Sequence, residues 1–163
     1  MKKTIILSLS AIALLAITPK NDKYFVGIDA GKIKIRDTST IYGGKIGYYF
    51  YEENRFLINN RAYIDFKKVD SSADFYIYSA NIDWIKNTNL INPYLGLNIG
   101  YMSFKEGDVD ESSGVWGFNA GAIYNLNENI GIEFLFKWQK SFDKKDIWDR
   151  PLKTLEGSIE YSF

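Results

Sequence analysis

Charged side chains recur at even spacings within short segments of the chain: Arg61, Asp65 and Lys67; Glu133 and Lys137; Glu156 and Glu160. In an extended chain, even spacing puts side chains on one face. Asp29, Lys45 and Asp83 fall on the same face once their own segments are phased by their apolar residues. Enclosed together, these groups must pair, because breaking a buried ion pair costs about 3–5 kcal/mol. Arg61 is the expected centre, since its planar fork satisfies two carboxylates at once. Two uses follow. The pairs form either a polar filling that fixes strand register or a gate that opens when ion-pair partners exchange. Glu156 and Glu160 also have the spacing of a carboxylate pair, and Ser with Lys is a His-free nucleophile and base. A salt-bridged or solvated face is the simpler account of both.

Composition closes most other routes to chemistry. The 163 residues contain no His and no Cys. The commonest general base and metal ligand are therefore missing, as are thiolate zinc sites, cysteine nucleophiles and disulfides. No enzyme activity, metal site or cofactor is expected. Twenty basic and twenty acidic side chains give a formal net charge of zero, which offers nucleic acid no whole-chain attraction. A hydrophobic content of 46% with 17% aromatics argues for one folded domain.

The elements that must position these residues begin after a leader. MKKTIILSLSAIALLAITPK has a basic start at Lys2 and Lys3 and an apolar run too short for a membrane span. It is expected to be a signal peptide over residues 1–20, cleaved between Ile17 and Lys23, with a barrel over 21–163. From there apolar residues alternate in runs bounded by Asn, Asp, Gly and Ser. Eight strands are expected, near 23–35, 41–51, 55–69, 75–85, 93–104, 115–125, 130–142 and 154–163. Links after the third, fifth and seventh, KVDSSAD, KEGDVDESSG and DKKDIWDRP, read as long charged loops, and the others mostly as short turns. Short turns on one side and long loops on the other characterise outer-membrane barrels, so the first strand would rise from the periplasm.

The apolar face carries aromatic residues at the strand ends. Tyr24, Phe50, Phe56, Trp84, Tyr124 and Phe163 mark one end; Tyr42, Phe66, Tyr76, Tyr101, Trp116 and Trp138 mark the other. Between them lie Ile46, Ala62, Ala80, Leu97, Ala120, Ile132 and Ile159. Two aromatic girdles around an aliphatic band suit a surface in a bilayer. From Phe56 to Phe66 the rise is about 25 Å along the membrane normal for a strand tilted by about 40°. The opposite face mixes the charged set with Gly, Asn and Ser, as a narrow interior requires. A soluble lipid-binding calyx is the competing architecture.

The blocks NPYLGLNIGYMSF, GVWGFNAGAIYNLNENIGIEFLFKWQKSF and the terminal GSIEYSF resemble the small outer-membrane β-barrel family that includes the OmpA-type transmembrane domain and the OmpX type. The resemblance implies an all-β, eight-stranded, up-and-down transmembrane barrel in a bacterial outer membrane. Ile159, Tyr161 and Phe163 resemble the C-terminal signal read by the barrel-assembly machinery, the partner this implies during biogenesis. Outer-membrane lipid is the expected surrounding, with Lys144, Lys145 and Arg150 at the height of lipopolysaccharide phosphates. Trp148 is a loop candidate for an extracellular partner of unknown identity. The acids Glu106, Asp108, Asp110 and Glu111 lack the spacing of a calcium loop and read as a solvated loop. Barrel enzymes of similar architecture rely on a His. The expected role is thus envelope structure and surface interaction, with a narrow pore second, a lipid-modifying enzyme third and the calyx fourth.

Overall fold

The computed structural model describes residues 23–34, 37–50, 58–88, 90–143 and 150–163. The strands are β1 (Lys23–Lys34), β2 (Thr38–Phe50), β3 (Ile58–Asp70), β4 (Asp74–Lys86), β5 (Ile91–Glu106), β6 (Val109–Asn125), β7 (Ile130–Ser141) and β8 (Leu152–Ser162). Each pairs antiparallel with the next, and β8 pairs with β1, closing a barrel with no free sheet edge around its waist. Alternation drives this closure. In β1, Phe25, Asp29 and Ile33 are buried while Val26 and Ile28 are exposed, and the same period runs through β4 and β8. The expected leader, residues 1–20, lies outside the described residues.

The loop pattern is corrected. The link after β3 shrinks to 71–73, closed by the Ser71 hydroxyl donating to the Ala73 carbonyl at 2.8 Å. The expected acidic loop after β5 is mostly ladder, with Lys105 opposite Asp110 and Glu106 opposite Val109. Gly107, at φ +59°, starts the turn between them; a two-residue hairpin turn needs positive φ there, which glycine supplies without strain. The sequence KEGDVDESSG keeps period-two alternation through its charges, so pairing continues where composition suggested a loop. Between β7 and β8, residues 144–149 lie outside the described residues, and the lengths of the described links do not orient the barrel.

Inside, the charged middle is bounded by apolar side chains. Ile33, Ile41, Val69, Phe75, Ile77, Met102, Val115 and Leu152 form a buried layer near the β1–β2 link, with Phe104 packed on it. Towards the other end Phe25, Tyr49, Tyr63, Ile85, Tyr94, Ile123 and Leu135 form a second buried group. Gly96 makes room between them. A Cβ there would collide with the Asp83 carboxylate and the Ile82 carbonyl.

Candidate functional site

Arg61 holds the middle of the lumen and is fully buried. Its Nε and Nη2 donate to Asp83 Oδ2 at 3.1 and 2.6 Å. Nη2 also donates to Glu133 Oε1 at 2.6 Å, and Nη1 to Glu160 Oε1 at 2.7 Å. The rings of Tyr63 and Tyr94 lie 4.7 and 4.9 Å from its guanidinium carbon. Both tyrosines at the network's edge donate hydroxyls into it: Tyr49 to Glu160 at 2.8 Å and Tyr94 to Glu133 at 2.5 Å. Charge-assisted bonds of this kind are the strong ones in a low-dielectric interior.

The other cations extend the network upward. Lys45 pairs with Glu133, with Glu160 at 2.7 Å and with Asp29 at 3.4 Å. Asp29 also accepts from Lys67 at 2.7 Å, and Lys67 pairs with Glu156. Lys137 donates to Asp65 at 2.5 Å, and the Asn81 amide donates to the same oxygen at 2.9 Å. The structure thus joins Asp29, Lys45, Arg61, Lys67, Asp83, Glu133, Glu156 and Glu160 in one web of ion pairs, with Lys137 and Asp65 as a further ion pair tied to Asp83 by hydrogen bonds through Asn81 and Asn119. Glu156 and Glu160 are held by different cations, which is not the arrangement of a catalytic carboxylate pair.

Sequence pattern alone does not single out five contributors. Gln139 donates to Asn98 at 2.9 Å, Asn98 to Asn119 at 2.8 Å, and Asn119 to Asp83 at 3.0 Å, a relay of amides ending on Arg61's partner. Tyr94 and Phe25 contact Arg61 from inside. Inward parity places all of them, but nothing in their types announces the contact. Thr154 is buried, and its hydroxyl oxygen has no hydrogen-bond partner among the described residues.

Outside, Tyr42, Phe66, Trp84, Trp116, Tyr124 and Phe163 are exposed, and Tyr24, Phe50, Tyr76, Tyr101 and Trp138 half-buried. The band between them is not purely aliphatic. Phe118, Phe134 and Phe136 are exposed within it, and Phe118 stacks on Trp138 at 5.4 Å. Ile159, Tyr161 and Phe163 all face outward, and Phe163 closes the ladder through its amide to the Tyr24 carbonyl at 2.9 Å. Phe56, Lys144, Lys145 and Trp148 lie outside the described residues. Arg150 is exposed, as are Glu106, Asp108 and Asp110, and no group of acids among the described residues is arranged to hold a metal.

At the end opposite the hairpin, a mouth of about 110 Å³ is ringed by Asn59, Asn87, Asn92 and Asn127 and reaches down to Tyr49 and Glu160. At the hairpin end the lumen meets the apolar layer instead.

This geometry is that of a membrane barrel: a paired, charged interior, an apolar exterior and no strand edge at the waist. No protein-family model matches the chain, and no curated protein matches its sequence. Solved structures do. Neisserial surface protein A is 15% identical with a TM-score of 0.61, covering 87% of this chain and 97% of that one. Ail, the attachment invasion locus protein of Yersinia pestis, in complex with the heparin analogue sucrose octasulfate, is 18% identical with a TM-score of 0.60 over 87% and 97%. The outer membrane enzyme PagL is 11% identical with a TM-score of 0.57 over 84% and 98%. The fold is that of the small eight-stranded outer-membrane β-barrels.

Proposed function

We propose that this protein is a non-enzymatic outer-membrane barrel whose lumen is a closed scaffold and whose working surface is its hairpin end. The carrying observation is the apolar layer of Ile33, Ile41, Val69, Phe75, Ile77, Met102, Val115 and Leu152. Ions and polar solutes do not cross a dry layer of such side chains, and eight strands leave an interior that side chains fill. The web beneath it spends its carboxylates on cations, leaving no acid free for proton transfer. The barrel fold accommodates an enzyme in PagL, so the absence of His in this chain, rather than its architecture, supports the non-enzymatic reading.

Both described ends, Lys23 and Phe163, lie at the Asn-ringed mouth, which this reading sets in the periplasm. The β5–β6 hairpin then projects outward beyond β7, whose pairing with β6 stops at Val115. Surface proteins of the same fold, including the attachment invasion locus protein, support a role in contact at that end. The test begins with boiled and unboiled gels of refolded protein. A heat-dependent shift with membrane partitioning is expected, and its absence would return the calyx. Single-channel recording in planar bilayers follows. Silence at high protein load is expected; discrete, reproducible steps would make the protein a pore.

A further inference from the structure

Just beyond the upper aromatic belt, the outer wall carries charge unevenly. On β1, β8 and β7 the outward positions there are Lys32, Lys34, Lys153 and Lys140, all exposed. Register sets Lys34 directly opposite Lys153, and Lys153 directly opposite Trp138. Like charges opposed across an antiparallel pair destabilise it. Lys32 donates to Thr40 at 2.9 Å. For Lys34, Lys153 and Lys140 there is no relief among the described residues, because every salt bridge there lies in the lumen. Asp37 and Asp143, the described acids nearest Lys34 and Lys140 in the chain, are exposed and pair with none of them, and Glu156, nearest Lys153, pairs inward with Lys67. The far wall is built differently, since register opposes Lys105 to both Asp74 and Asp110.

A second feature lies directly below the lysines. On β8, Gly157 faces outward with nothing within 4 Å of where a Cβ would stand. Its partners are Ala30 on β1 and Phe134 on β7. A groove of about 380 Å³ opens there, lined by Ile28, Ala30, Ile132 and Ile159. At about 3.3 Å per residue, Lys153 and Gly157 are about 13 Å apart, a span one lipid covers from head group to acyl chain.

We propose that the β1–β8–β7 seam binds a phosphate-bearing lipid. Its head-group phosphates bridge Lys34 and Lys153, and an acyl chain runs down over Leu155 into the notch at Gly157. Bridging converts a cross-strand repulsion into two charge-assisted contacts. Trp138, beside Lys153, sits at the level where interfacial aromatics anchor a barrel. The site rests on insertion of the barrel in a membrane, which the heat-dependent gel shift tests separately.

The experiment is native mass spectrometry of refolded, gel-shift-verified protein in a neutral detergent. Three probes are titrated: bisphosphorylated lipid A, its dephosphorylated form, and the deacylated bisphosphorylated disaccharide. The bisphosphorylated lipid is expected to be retained, and the other two to bind at least about tenfold more weakly. Lys34→Gln with Lys153→Gln is expected to weaken the lipid by about tenfold, and Gly157→Leu, which fills the notch, to weaken it independently. Lys68→Gln with Lys105→Gln on the far wall is expected to change nothing. Equal retention of the deacylated disaccharide would overturn the proposal in favour of a soluble-polyanion surface. Equal loss in the far-wall variant, or none in either seam variant, would overturn it outright. The seam substitutions are on exposed positions that remove repulsion or fill open space, so those variants are expected to refold, and the far-wall pair is admitted as a control once its gel shift shows a folded barrel.

Discussion

Arg61 donates to Asp83, Glu133 and Glu160, which come from three other strands, so one side chain ties β3 to β4, β7 and β8. Arg61→Ala leaves Asp83 without a cation and Glu133 and Glu160 with Lys45 alone, and is expected to cost about 3–5 kcal/mol, read as a lower urea midpoint in lipid vesicles. Arg61→Lys is expected to recover only part, because a single ammonium cannot reproduce the fork. A full recovery would mean that charge alone, not geometry, holds the web. Thr154→Val gives the opposite sign. The buried hydroxyl has no partner among the described residues, so an isosteric methyl is expected to stabilise by about 1 kcal/mol. Parity read from the sequence puts Arg61 and its acids on one face, but not at one height. Height depends on the stagger between strands, which is why Asp65 looks like a partner of Arg61 and instead meets Lys137.

Strands declare themselves more readily than their ends. The alternation Tyr24, Val26, Ile28 or Ile132, Phe134, Phe136 is legible because polar or small residues separate the apolar ones. Near the β1–β2 end both faces are apolar, as in Phe75, Tyr76, Ile77 and Tyr78 of β4. Alternation disappears there, so the internal layer of Phe75, Ile77 and Met102 is invisible to a rule that sends apolar residues outward. Charge misleads the other way in β5 and β6, where Lys105 to Asp110 reads as loop and pairs as ladder. Two glycines separate these pressures. Gly96→Ala drives a methyl into Asp83 and the Ile82 carbonyl and is expected to destabilise by about 1–3 kcal/mol. Gly157→Ala meets open space and is expected to stabilise by about 0.5–1 kcal/mol, since glycine within a strand costs backbone entropy. Paired urea titrations decide it. Equal effects would mean that strand propensity, not the space around each position, governs these sites.

For the molecule as a whole, what matters is whether the charged web or the apolar layer keeps the barrel shut. The two are stacked along one axis, so they make different predictions. The Asn-ringed mouth reaches down to Tyr49 and Glu160, and Arg61, bonded to Glu160, comes next. If the web were the gate, Arg61→Ala would suffice to conduct, because a broken ion pair would open the path. If the apolar layer is the seal, Arg61→Ala stays silent, since Ile33, Ile41, Phe75 and Met102 still close the far end. Conductance then requires thinning that layer as well. Phe75→Ala with Met102→Ala in the Arg61→Ala background is expected to give discrete steps, provided the gel shift shows a folded barrel. Phe75→Ala with Met102→Ala alone is expected to remain silent or nearly so, because the web still blocks the middle. Steps from Arg61→Ala by itself would make the lumen a gated conduit, and the lysine seam would then lie on the wall of a channel rather than of a scaffold.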